Sequence, residues 1–464
     1  MGFRLRHPLV AVAVALLLTV PWIVTFVSYG GYGTVHPGEN VTPAMAVAVA
    51  GLAVLGASFL LAWGAETAEK DVPQAFAIAV LAVLAVAPEY AVDALYAWNA
   101  GAFEGTARGM QNANLAVANM TGANRILIGL GWSGIALFTV YRARRSGDEA
   151  VEQRSGVLAD AITLDRAIAL EIVFLLAATA FAFVVPLSGA TLNGGGAAGG
   201  IGLLDTLVLV GLYVLYIAII VRGDTDTGEE HVGVPAYLQS WSKGPRIGSV
   251  LVLFAFSGAM IFTAVEPFAT GLEELGLQYG IPEFFMIQWL APLASESPEL
   301  IVVAYLVNKA RSTAGFNALI SSKLNQWTLL IGTLAVVYSI AAGHLGGLPF
   351  DQKQVAEIWI TAAQSFFALA LLTNFEITLR EAVALLVLFV SQVGIEFAVI
   401  QTLPEAQATA RSIDVLYVYT AIYLLLGAWL FYRRREALYD LFARSTATAK
   451  GAFGRKSSRP ERAD

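Results

Sequence analysis

Runs of about 18 or more predominantly apolar residues, each long enough to cross a ~30 Å hydrocarbon core, recur along the whole chain with short polar breaks between them. Twelve such runs fall at about 7–28, 44–66, 73–99, 113–141, 163–186, 201–222, 246–267, 283–308, 314–342, 356–375, 379–401 and 413–433. The pattern predicts an all-α integral membrane protein of about twelve transmembrane helices. The first run follows Arg4 and Arg6, yet it is too long for a signal peptide and no small-residue cleavage site follows it, so it reads as a retained helix.

The breaks carry a second signal, because lysine and arginine collect on the cytoplasmic side of membrane proteins. With the N-terminus inside, the outer loops hold Arg108, Lys353 and Arg411, whereas the inner segments hold Lys70, Arg142, Arg144, Arg145, Arg154, Arg222, Lys243, Arg246, Lys309, Arg311, Arg380 and the basic stretch from Arg433 onward. Both termini are therefore expected in the cytoplasm of a multi-pass cell-membrane protein.

Two apolar regions are interrupted in the same way. Upstream stand Gly64-Ala65-Glu66, Val72-Pro73, Pro88-Glu89 and Thr121-Gly122-Ala123-Asn124-Arg125, closing at Gly131. Downstream stand Gly271-Leu272-Glu273, Ile281-Pro282, Pro298-Glu299 and Ser322-Lys323-Leu324-Asn325-Gln326, closing at Gly332. Asn124 is as far from Gly131 as Asn325 is from Gly332, and the Pro-Glu pairs fall in the third and eighth spans. Five spans separate them, so the copies run in opposite directions across the membrane. Inverted-topology repeats of this kind build many secondary transporters, with the substrate site near the midplane.

Carboxylates, amides and hydroxyls inside hydrocarbon are costly, and they usually line an ion path. Proline in mid-span removes a backbone donor and is expected to break the helix, freeing carbonyl oxygens for a cation. Glu89 and Glu299 would face one another across the pseudo-two-fold axis, with amide oxygens from Asn124 and Asn325 and hydroxyls from Ser295, Ser297, Ser321 and Ser322. Such an oxygen-only set suits Ca²⁺, or Na⁺ with fewer of the same groups. All four histidines, His7, His36, His231 and His344, lie at span ends or in loops, away from any soft-metal site.

Asp93, four residues after Glu89 and on the same helical face, reads either as a second acid or as a partner for Arg125. Glu296 shares a face with Glu299. Ser321 and Ser322 read equally as ligands or as interhelical hydrogen-bonding glue. Arg125 and Lys323, beside the two asparagines, read as ion-pair partners that tune the charge of the site. Glu171, Gln392 and Glu396 are further polar intrusions, the last two spaced to line an accessory path, with Glu396 read alternatively as a span-end residue.

Composition agrees: of 464 residues 57% are hydrophobic and 14% charged, against about 25% charged in soluble proteins. A net charge of −7 without a basic, aromatic-rich stripe argues against a nucleic-acid partner. The absence of cysteine excludes disulfides, thiolate metal sites and cysteine nucleophiles.

These residues resemble the calcium/cation antiporters, the superfamily that includes the sodium/calcium exchangers. Its hallmark is a pair of inverted repeats, each with a Gly-Thr-Ser-x-Pro-Glu type stretch followed by a helix beginning Gly-Ser-Asn. The resemblance spans roughly residues 44–401. It implies that Glu89 and Glu299 bind the cation, that Asn124 and Asn325 take the place of the family's helix-borne amide or carboxylate, and that Ca²⁺ is exchanged for Na⁺ or H⁺ by alternating access. The partners are then inorganic cations and the lipid bilayer, with no cofactor. It also divides the chain into an extra helix and outer loop at 1–43, repeats at 44–222 and 246–401 around a cytoplasmic loop at 223–245, an extra helix at 402–440 and a disordered basic tail at 441–464.

The chain departs from the family pattern at Ala85 and Val86, where hydroxyls precede the first Pro-Glu, at Glu296, and at Arg125 and Lys323. A fixed positive charge near a carboxylate cluster competes with a bound ion. Sodium/proton exchange is therefore the alternative expectation. An intramembrane enzyme such as a lipid-phosphate transferase would need paired aspartates at a cytoplasmic cavity, and a channel would need a repeated pore loop; neither is present in the sequence.

Overall fold

The computed structural model describes residues 7–71, 87–146, 148–190, 198–222, 232–308 and 310–454. In chain order its helices are α1 (Pro8–Ser28), α2 (Pro43–Ala68), α3 (Ala87–Ala102), α4 (Ala107–Ile126), α5 (Ser133–Ser146), α6 (Ala169–Ala182), α7 (Val185–Ala190), α8 (Leu203–Arg222), α9 (Val234–Gln239), α10 (Lys243–Gln278), α11 (Glu283–Asn308), α12 (Ser312–Asn325), α13 (Ile331–Ala342), α14 (Gln352–Leu372), α15 (Leu379–Thr402), α16 (Glu405–Arg433) and α17 (Arg435–Gly454). α4 continues into α5 through a π-helical turn, Leu127–Trp132, and α12 into α13 through another, Gln326–Leu330.

Among the described residues, ten helices are long and apolar enough to cross a membrane. They match ten of the twelve expected spans, so twelve is not reached on this measure. The other two are the Pro-Glu helices. Residues 72–86, including Pro73, Ala85 and Val86, lie outside the described residues, and α11 carries its carboxylates mid-helix. The expected break at the second Pro-Glu does not occur: α11 stays helical through Pro292 and Pro298. Each proline removes one donor and frees only the carbonyl four residues before it, which leaves the rest of the ladder to hold the helix. Ser295 Oγ donates to the carbonyls of Ala291 and Pro292 at 3.4 and 3.2 Å.

The inverted repeat is visible in the packing. α2 lies on α10, the leading helix of the other repeat. α4 packs on α11, and α13 packs on α3. α4 also meets α14, and α12 meets α6. The first π turn rests on α15 and the second on α8. Two glycines allow the closest crossings: a Cβ on Gly122 would drive into the carbonyl of Gln288, and one on Gly101 into that of Tyr338.

Short strands tie the ends of the bundle together. β1 (Val151–Glu152), β2 (Ala161–Thr163) and β5 (Glu376–Thr378) form one antiparallel sheet, and β3 (Gly199–Ile201) pairs with β4 (Leu348–Phe350). Arg154 fastens the first sheet by reaching Glu376 at 2.9 Å and Glu152 at 2.5 Å. At the C-terminus the structure differs from the expectation of a disordered tail from 441. Helix α17 runs to Gly454 and packs against α6 and α8, with Leu441 buried and Arg222 over the Phe453 ring. Residues 455–464 lie outside the described residues.

Candidate functional site

Where α3, α4, α11 and α12 meet, the two repeats bring their acidic residues together. Glu89 and Asp93, one turn apart on α3, are buried. The Glu89 carboxyl has Glu299, Ser295 and Asp93 as electrostatic neighbours, and its Oε2 has no hydrogen-bond partner among the described residues. Asp93 accepts a hydrogen bond from the Asn119 amide at 2.8 Å, so it is not the partner of Arg125.

On α11, Glu296 is buried and accepts from the Gln326 amide, with Glu89, Glu299 and Lys323 as charged neighbours. Glu299 is half-buried and accepts from the Ser322 hydroxyl at 2.9 Å. Ser295 belongs to this group through Glu89. Ser321 instead faces the Tyr216 hydroxyl, which donates to Glu171 at 3.0 Å.

The asparagines do not play equal parts. The Asn124 side-chain oxygen, expected to face a cation, accepts from the Lys323 ammonium at 2.6 Å; its amide donates to the Met120 carbonyl at 2.9 Å. Lys323 also reaches the Asn124 carbonyl at 3.3 Å and lies 4.5 Å from the centre of the Trp327 ring. Asn325 is buried in the last turn of α12.

Arg125 points elsewhere. Its guanidinium donates to Glu357 on α14 at 2.6 Å and to Gln392 on α15, and it lies 4.9 Å from the centre of the Trp289 ring. Gln392 donates to Glu396 at 2.8 Å, and Lys353 pairs with Glu396 at 3.0 Å. Glu396 is fully buried, not at a span end, and Lys353, counted in the sequence as an outer-loop residue, is buried as well. Glu357 was not singled out in the sequence, because one carboxylate six residues into a helix reads as part of its polar first turns.

Exposure differs between the two repeats. The register that superposes Asn124 on Asn325 also pairs Thr121 with Ser322, Met120 with Ser321, Val117 with Ala318 and Ala116 with Asn317. The four on α4 are buried and the four on α12 are half-exposed. A face bearing Asn317, Ser321 and Ser322 beside Glu299 has the polarity of an aqueous approach, since lipid would not solvate it. Among the described residues no three Asp, Glu or His side chains converge closely enough to hold a metal ion.

The profile described as "Sodium/calcium exchanger protein" matches residues 42–222 and 249–398. A crystal structure of the H⁺/Ca²⁺ exchanger CAX is 40% identical, with a TM-score of 0.79 over 95% of this chain and 98% of that one. The structure of native YfkE is 14% identical with a TM-score of 0.54, covering 85% of this chain and 100% of that one, a likeness of fold. A structure of the sodium-calcium exchanger NCX_Mj is 17% identical, with a TM-score of 0.46 over 76% of this chain and 97% of that one. No curated protein matches. With its inverted helical repeats and its extensive match to the profile, the chain belongs to the sodium/calcium exchanger protein family.

Proposed function

We propose that the protein is a secondary-active antiporter that exchanges Ca²⁺, or a similar hard cation, for H⁺ or Na⁺ at the carboxylate cluster of α3 and α11. The observation that carries this reading is the charge of the cluster: among the described residues Glu89, Asp93, Glu296 and Glu299 stand against Lys323. Carboxylates crowded into low dielectric repel one another strongly, and a multivalent cation relieves that repulsion. Glu89 and Glu299 are assigned as the principal ligands, Glu296 and Asp93 as supporting acids, and Ser295, Ser322 and Asn325 as neutral oxygen donors. Ser321 contributes less, as it faces Tyr216. The H⁺/Ca²⁺ exchange named for the 40% identical relative supports the proton as counter-ion.

The repeats at 44–222 and 246–401 would move against each other, exposing the cluster alternately to either side of the cell membrane. With both termini cytoplasmic, as the basic residues of the inner loops suggest, the half-exposed face of α12 is the cytoplasmic approach. Sodium/proton exchange is the second reading, favoured by Lys323, whose charge leaves less of the site for a divalent ion.

The test is flux in proteoliposomes. ⁴⁵Ca²⁺ uptake driven by an imposed proton or sodium gradient is expected from wild type and lost in Glu299→Gln. Gradient-driven Na⁺ and proton movement without ⁴⁵Ca²⁺ uptake would select the second reading. Unchanged flux in Glu299→Gln would remove that residue from the site.

A further inference from the structure

The second buried network, centred on Arg125, has a composition unlike the cluster beside it. Two bases, Arg125 and Lys353, face two acids, Glu357 and Glu396. Its charges balance, so it offers no net attraction for a cation. Its position is the notable feature, because Arg125 directly follows Asn124, whose side-chain oxygen lies 2.6 Å from the Lys323 ammonium, itself a neighbour of Glu296. A guanidinium is a permanent cation that proteins do not deprotonate. Turned toward the acidic cluster, it would cancel part of the charge that a substrate ion needs.

We propose that Glu357 is a positioning residue that keeps Arg125 out of the cation site; this rests on the carboxylate cluster being that site. The grip on the guanidinium is threefold. Glu357 takes one edge at 2.6 Å, the Gln392 side-chain oxygen takes another, and the Trp289 ring covers a face at 4.9 Å. The Gln364 amide donates to the Arg125 carbonyl at 3.4 Å, fixing the backbone from which the side chain departs. The grip also crosses the repeats, with Arg125 on α4 and Glu357 and Gln392 on α14 and α15. Without the Glu357 charge, a buried guanidinium is left without its ionic partner, a costly state that drives it toward uncompensated negative charge. Glu396 is held by Lys353, so the uncompensated charge is the cluster of Glu89, Glu296 and Glu299, reached from Arg125 through Asn124 and Lys323.

Equilibrium binding of ⁴⁵Ca²⁺ to the purified full-length protein tests this. Glu357→Gln is expected to weaken binding by at least about tenfold through the charge that Arg125 brings to the site. The double variant Arg125→Gln/Glu357→Gln is expected to recover to within about threefold of wild type, which damage to the fold would not do. Wild-type affinity in Glu357→Gln, or a double variant as weak as the single one, overturns the proposal. If Glu357→Gln does not fold, Gln392→Leu loosens the same grip without unpairing a charge. It should weaken binding several-fold, with recovery when Arg125→Gln is added, and absence of either effect overturns the proposal. Absence of Ca²⁺ binding by wild type overturns the cation-site reading itself, and the proposal with it.

Discussion

Under the proposed exchange, Lys323 would set how much of the carboxylate charge remains for a passing ion. Its ammonium occupies the Asn124 oxygen at 2.6 Å and sits beside Glu296, so with a cation in the proposed site it would be a tethered competitor. Lys323→Met is expected to tighten Ca²⁺ binding by about tenfold through removal of that competing charge; unchanged ⁴⁵Ca²⁺ affinity would take Lys323 out of the charge balance. A second prediction concerns the loop after α13. His344 Nε2 lies 2.6 Å from Glu104, which also accepts from the Tyr338 hydroxyl at 2.7 Å. The hydrogen bond to Glu104 raises the His344 pKa, and the hydrogen bonds from Tyr338 and His344 lower that of Glu104. The histidine contribution is complete below the ordinary value of 6.5 and fades as pH rises through the raised one; the glutamate contribution is complete above 4.5 and fades on acidification. The thermal midpoint of His344→Gln should therefore fall below wild type mainly in the window between those values and converge with it at alkaline pH. A constant difference at every pH would show that the pair is not titrating.

At the level of single elements, the crossing of α4 and α11 depends on a position with no side chain. Gly122→Ala would press a methyl group into the Gln288 carbonyl and should cost about 1–3 kcal/mol, read as a lower melting temperature and poor folded yield. Gly134→Ala, where a Cβ meets nothing within 4 Å, should be close to neutral. Equal effects would mean that the crossing adjusts freely. The spans themselves were legible because a bilayer demands long apolar runs, and the repeat was legible because Pro-Glu and the Asn-to-Gly spacing recur. The π turns were not, since Leu127–Trp132 and Gln326–Leu330 contain nothing that distinguishes five- from four-residue bonding. The partner of Arg125 was not either: Glu357 lies 232 positions away, and no local pattern links them. The tail was misread because its small and basic residues suit solvent, while burial of Leu441 against the bundle comes from tertiary packing. Glu89 and Glu299 do lie in one neighbourhood, as the repeat suggested, but Asn124 is held by a lysine that local sequence could not aim.

For the whole molecule, the difference between α4 and α12 predicts one-sided access. The chain has no cysteine, so single-cysteine variants need no altered background. Ser322→Cys should react from the α12 side with a membrane-impermeant thiol reagent, whereas its counterpart Thr121→Cys should stay protected until the transporter changes state. Equal labelling of both, or labelling of Thr121→Cys alone, would contradict the arrangement. The two π turns carry the repeat into the shape of each half. A π turn holds one residue more than the helix around it, and each additional residue rotates everything beyond it by roughly 100°. In the register that superposes Asn124 on Asn325, the first turn falls on 328–333 and overlaps the second, Gln326–Leu330, at 328–330. Each half therefore swivels its outgoing helix, α5 or α13, by a comparable amount relative to the helix that bears its asparagine, α4 or α12.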